Sequence, residues 1–213
     1  MSFLGRLFGG NSPAQSAKPV IIVSGLPRSG TSMMMKMLEA GGLKVFVDNL
    51  RTPDADNPEG YYEYERVKQL DKGDTAWVKD ARGQVVKVIS ALLEHLPPEN
   101  EYKVLFMCRS LDEVLASQQK MLARRGEKSD PAEDEQIAGI SDEEMARLFR
   151  KHLATVESWL KGQPNFSVLD VDYNEMLGNP EPQIEAVNRF LGGALNEARM
   201  ANVVNPNLYR NRA

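Results

Sequence analysis

Residues 24–32 crowd two glycines (Gly25, Gly30), one arginine (Arg28) and four hydroxyl side chains (Ser24, Ser29, Thr31, Ser32) into one short loop. The run before it, Val20-Ile21-Ile22-Val23, is continuously apolar, which predicts a strand buried on both faces. After it, Met33, Met34, Met37 and Leu38 recur at helical spacing, so a helix begins near Thr31 and Ser32. Strand, loop and helix start in that order present free N–H groups and the positive end of a helix dipole to whatever the loop encloses, and the matching ligand is an anion. The spacing Gly25-x4-Gly30 matches the beginning of an NTP-binding P-loop, but Thr31 stands where that loop has its lysine. In such a loop the lysine reaches the terminal phosphates and the next hydroxyl holds magnesium. Here the cation is Arg28, whose planar fork grips an anion bidentately with no metal required.

A second constellation lies at 102–122. Val104 to Cys108 reads as another buried strand, Arg109 follows at its end, and a helix opens near Ser110 or Leu111 with Ser117 in its second turn. An arginine at a strand end and a serine in the first turns of the next helix can reach one phosphate together. They can equally be a salt bridge from Arg109 to Asp112 or Glu113 and a serine on a solvent face.

Pro27-Arg28-Ser29-Gly30-Thr31-Ser32 resembles the phosphosulfate-binding loop of sulfotransferases, P-x-S-G-T-S/T, with arginine in the manner of the tyrosylprotein type. Arg109-x7-Ser117 resembles the 3'-phosphate motif of the same family. The resemblance implies a transferase of the EC 2.8.2 type. It would move a sulfuryl group from 3'-phosphoadenosine 5'-phosphosulfate (PAPS) to a hydroxyl or amine, with Pro27, Arg28, Ser29, Gly30, Thr31, Ser32, Arg109 and Ser117 holding the nucleotide and no metal. Val78-Lys79 is similar to the start of the family's V-K-T-H strand end, which implies that Lys79 supports transfer; Ala81 stands in the histidine's place, and Lys79, Asp80 and Arg82 look more like the bacterial branch. For the base the resemblance offers two carboxylates. Asp48 lies 17 residues after Thr31, near the catalytic glutamate of tyrosylprotein-type members, and Glu63 ends the bacterial-type segment Asn57-Pro-Glu-Gly-Tyr-Tyr-Glu63. The closing stretch, from Tyr173 through Asn179-Pro180 to Phe190-Leu191-Gly192, also resembles the family.

The elements that must position these groups alternate along the chain. Strands are expected at 20–23, 43–47, 77–80, 104–108 and 166–171. Helices are expected from 31, over 61–70 and 83–95, from about 111, from the capping box Ser141-x-x-Glu144 to about 162, and from Pro180. Such alternation implies an α/β fold, a mostly parallel central sheet with helices on both faces and ligands at the carboxyl ends of the strands, and the resemblance implies that it is of the three-layer P-loop type. Residues 19–213 read as one domain, 1–18 as a flexible tail, and 126–140, polar and acidic, as a mobile loop.

Composition sets the remaining bounds. The 213 residues are 42% apolar and 26% charged with a net charge of −4, which argues against a general nucleic-acid binder. The single cysteine, Cys108, excludes an internal disulfide framework and reads as a buried small hydrophobe in a cytoplasmic protein. No apolar run approaches the roughly 20 residues that span a bilayer. Phe3, Leu4, Leu7 and Phe8 with Arg6 leave residues 1–10 able to touch a membrane surface. His95 and His152 are expected at surface or boundary positions of amphipathic helices. Two other classes stay open. A P-loop kinase or NTPase would need a lysine at 31 and a magnesium-binding Asp170 or Asp172, and a non-catalytic nucleotide-binding relative would keep Arg28 and Arg109 without a working base. The acceptor and the oligomeric state are open at this stage.

Overall fold

The computed structural model describes residues 18–48, 50, 60–126 and 141–204, with side chains over the same residues except 121–126. The first strand, β1 (Val20–Gly25), is buried along its whole length and lies inside a four-stranded parallel sheet. Helix α1 (Thr31–Ala40) follows the loop and ends at Gly41-Gly42, as the sequence indicates. The other strands are β2 (Val85–Lys87), β3 (Tyr102–Cys108) and β4 (Phe166–Asp172), in spatial order β2-β1-β3-β4. The register places Val23 beside Lys87 and Gly25 beside Met107, so the ends of β1, β2 and β3 share one rim.

The remaining helices are α2 (Leu111–Gly126), α3 (Asp142–Lys161), α4 (Tyr173–Gly178), α5 (Pro180–Leu191) and α6 (Glu197–Ala201). Alternate residues of the strands serve opposite faces, which is the pleat expressed as packing. Val20, Ile22, Val86, Val104 and Phe106 face a core with Trp77, Leu93, Val156 and Leu160. Ile21, Val23, Val85, Leu105 and Met107 face Met34, Met37 and Leu38 of α1 together with Ile184, Val187 and Met200. Helices therefore cover both faces, and the fold is the three-layer α/β P-loop type expected. Helix α3 begins where its capping box indicates, with Ser141 Oγ accepting the Glu144 amide at 3.2 Å.

Four local expectations are corrected. The stretch 83–95 is not one helix: Val85–Lys87 is β2, and a 3-10 helix spans Ser90–His95. Val85, Val86, Ile89 and Leu92 satisfy a helical period, but a β-branched pair beside the open edge of β1 gains a parallel ladder instead. Residues 77–80 are not a strand end but lead into a 3-10 turn, Val78–Ala81, with the Trp77 indole donating to the Asp74 carbonyl. Strand 43–47 reduces to one bridge, Val45 to Val85, because β2 is only three residues long and offers no further ladder. The helix expected over 61–70 starts at Glu65 and is a 3-10 helix, Glu65–Lys72, since 61–64 runs extended around a positive φ at Tyr62. The tail 1–17 and the loop 127–140 lie outside the described residues. Among the described residues no helix is long and apolar enough to cross a membrane.

Candidate active site

The loop between β1 and α1 is shaped by contacts that only glycine permits. Gly25 has φ 142°, and a Cβ there would meet the Met107 carbonyl oxygen at 2.7 Å. Gly30 has φ 97°, and its Cβ would meet the Tyr173 ring at 2.3 Å. Ser29 is buried and closes the turn by donating from Oγ to the Leu26 carbonyl at 2.7 Å. Pro27 sits exposed at the tip. Arg28 itself adopts φ 70°. The N-cap of α1 is Gly30, which has no side chain to cap it, so the first-turn amides and the dipole face the hollow of the loop.

Both residues of the second constellation grip Arg28. Its Nε donates to Ser117 Oγ at 3.0 Å, and Arg109 Nη1 donates to the Arg28 carbonyl at 2.9 Å. The Arg109 guanidinium also donates from Nε to Glu113 Oε2 at 2.9 Å and lies 4.4 Å from the centroid of the Tyr173 ring. Side-chain exposure is 7% for Arg109 and 4% for Glu113, so this ion pair is buried, and Asn174 completes it by donating to Glu113 Oε1 at 2.9 Å. Of the expectations for 109–117, the salt bridge from Arg109 to Glu113 is present, and Ser117 faces the loop rather than solvent.

The lysine at this rim is Lys87, not Lys79. Lys79 is exposed on the turn before β2, at the amino ends of the strands, where Gly83 donates to the Pro19 carbonyl. Lys87 ends β2 beside Val23, and its Nζ donates to the Tyr61 carbonyl and, at 3.4 Å, to Ser32 Oγ. The Glu63 carboxylate lies 3.7 Å from the same ammonium. The sequence holds two Val-Lys pairs, at 78–79 and 86–87, and the signal that separates them is the β-branched run 85, 86 and 88 around the second. In that register Ile89, 42% exposed, takes the histidine's place in V-K-T-H.

Of the two carboxylates, Asp48 is spent on the backbone. Its Oδ1 accepts the Leu50 amide at 3.1 Å and its Oδ2 accepts the Glu65 amide at 2.6 Å, at the start of the 3-10 helix. Glu63 faces Lys87 and, at 3.7 Å, Lys68. His95 stands at the surface beside Glu94, and half-buried His152 bonds Ser90 Oγ at 2.8 Å. Cys108 is partly buried, and that burial pushes its thiol up to about 11. Asp172 caps α4 by accepting the Glu175 amide at 2.9 Å. Among the described residues no group of three or more His, Cys, Asp or Glu is placed to hold a metal.

The sulfotransferase domain model matches residues 18–211, which include every element described above. The chain belongs to the sulfotransferase family. Its loop, 25–32, and the Arg109–Ser117 constellation lie together on one sheet rim. Among solved structures, the sulfotransferase domain of the Synechococcus PCC 7002 olefin synthase is 14% identical, with a TM-score of 0.47 over 94% of this chain and 86% of that one. A sugar kinase from Janibacter sp. HTCC2649 is 15% identical, with a TM-score of 0.39 over 88% and 99%. Retinol dehydratase in complex with retinol and PAP is 16% identical, with a TM-score of 0.42 over 91% and 70%. Likenesses this distant say nothing of activity. No curated protein matches the chain.

Proposed function

We propose that this sulfotransferase moves the sulfuryl group of PAPS to a hydroxyl or amine acceptor. The observation that carries the reading is the convergence of three strand ends: an uncapped helix start with Arg28 at β1, Arg109 and Ser117 beyond β3, and Lys87 with Glu63 at β2. The donor carries anionic groups at two positions, and the site offers cations and hydroxyls at two positions. The loop amides, Arg28, Thr31 and Ser32 take the 5'-phosphosulfate; Arg109 and Ser117 take the 3'-phosphate. In the transfer, the bond from sulfur to the bridging oxygen breaks, a bond from sulfur to the acceptor atom forms, and adenosine 3',5'-bisphosphate leaves. Charge builds on the bridging oxygen, where Arg28 and Lys87 stabilise it. The acceptor's proton passes to Glu63, whose carboxylate lies 3.7 Å from the Lys87 ammonium, whereas that of Asp48 accepts two backbone amides. A protein with one cysteine suits a reducing cytoplasm as the place of this reaction.

Thermal unfolding with adenosine 3',5'-bisphosphate, set against ATP with magnesium, tests the reading. A ligand at a hundred times its dissociation constant stabilises the native state by about 2.7 kcal/mol. For a chain of this size that is a rise in Tm of roughly 5–10 °C. The bisphosphate is expected to give that rise and Ser117→Ala to diminish it. A rise with magnesium-ATP and none with the bisphosphate would overturn the proposal in favour of a kinase.

A further inference from the structure

Among the described residues, two that are not glycine have positive φ: Arg28 at 70° and Tyr62 at 51°. Both lie at the site. A bulky aromatic residue in the left-handed region is strained, and such a conformation persists only where its surroundings impose it. Two contacts impose it on Tyr62. Its ring packs against the apolar face that includes Met34 and Met37 of α1, and its hydroxyl donates to Glu39 Oε2 at 2.8 Å. Burial and the neighbouring carboxylate push the phenol up to about 12, so it stays a donor through the neutral range. Glu39 is exposed on the last turn of α1, the same helix whose first turn forms the anion loop.

The bend has a consequence on either side. Tyr61, before it, turns its carbonyl to the Lys87 ammonium and to Ser32 Oγ, and Glu63, after it, brings its carboxylate to within 3.7 Å of the same ammonium. The left-handed residue at 62 sets the direction of the Tyr61 carbonyl relative to the Glu63 side chain, and both meet one lysine. The Glu63 carbonyl meanwhile accepts the Asp48 amide at 3.3 Å, and Asp48 holds the next turn through the Glu65 amide. The segment is fixed downstream by Asp48 and at the bend by Tyr62.

We infer that Tyr62 is a positioning residue, which acts through Glu39 to hold Tyr61 and Glu63 around Lys87. The inference rests on the proposed function only in naming Lys87 and Glu63 as transfer groups; the placement itself is independent of it.

Timed acetylation read by mass spectrometry tests it without a known acceptor. In the wild type Lys87, with 9% of its side chain exposed, should label slowly. Tyr62→Phe and Glu39→Ala should each speed labelling of Lys87 by about five-fold, the factor that one lost hydrogen bond sets. Lys103, near the start of β3 and bonded to the Phe190 carbonyl, should keep its rate. Glu39→Gln retains an acceptor oxygen for the Tyr62 hydroxyl and should restore the wild-type rate at Lys87. The melting shift given by the bisphosphate should be unchanged in all three variants. Lys87 labelling at the wild-type rate in both Tyr62→Phe and Glu39→Ala would overturn the inference. Should Tyr62→Phe fail to fold, Glu39→Ala, at an exposed helix position, decides alone. A bisphosphate that shifts no melting temperature, with the labelling pattern as expected, would sink the proposed function and leave this inference standing.

Discussion

Arg28 is held at its side chain by Ser117 and at its carbonyl by Arg109, so the loop after β1 and the start of α2 meet at a single residue. Lys87 and Glu63 face each other at the next strand end. These contacts separate residues that the sequence presents as equals. Lys87→Met should lower the transfer rate by about 10²–10³, as loss of one preorganised stabiliser of developing charge does. Lys79→Met, on the far rim, should leave kcat unchanged. Cys108 provides a second test at this scale. Because burial raises its thiol to about 11, little of it is thiolate near pH 8, and alkylation by iodoacetamide should be far slower than for a free cysteine. The rate should climb as pH rises toward 11; rapid labelling at pH 8 would mean the thiol is open to solvent.

At the scale of elements, β3 and α2 are coupled by the buried pair of Arg109 and Glu113, four residues apart and closed by Asn174 of α4. Breaking a buried pair from one side strands a charge, at a cost of about 3–5 kcal/mol. Glu113→Ala should therefore lower the denaturant midpoint sharply and weaken bisphosphate binding too, since Arg109 then loses its brace. Ser141→Ala should cost only about 1 kcal/mol, the worth of one helix cap. Such caps act locally, which is why α3 was legible at its first residue. So were β1, the loop and α1, whose signals lie within consecutive residues. Strand β2 was not, because three residues carry no period of their own and become a strand only by lying beside β1. The choice between the two Val-Lys pairs depends in the same way on which of them reaches the sheet, and the pair at 86–87 does. Tyr62 and its bend left no sequence signal either, since a positive φ at a residue other than glycine is imposed by distant partners.

At the scale of the molecule, the parallel sheet delivers three strand ends to one rim, and each brings a different part of the chemistry. The loop after β1 encloses the hollow, the helix after β3 braces it, and Lys87 at the end of β2 meets Glu63 of the segment 61–64. This architecture was legible because alternating strands and helices leave few topologies. The measurement that tests the central claim most directly follows PAPS itself. PAPS should be incubated with a panel of a phenol, an aliphatic alcohol, a sugar and an amine, and the nucleotide products separated. Adenosine 3',5'-bisphosphate is expected to form in step with one sulfated acceptor, about 10²-fold or more slowly with Glu63→Gln, the usual weight of a general base. PAPS recovered intact from the whole panel, by a protein whose melting temperature the bisphosphate raises, would contradict a transferase and leave a nucleotide-binding protein in its place.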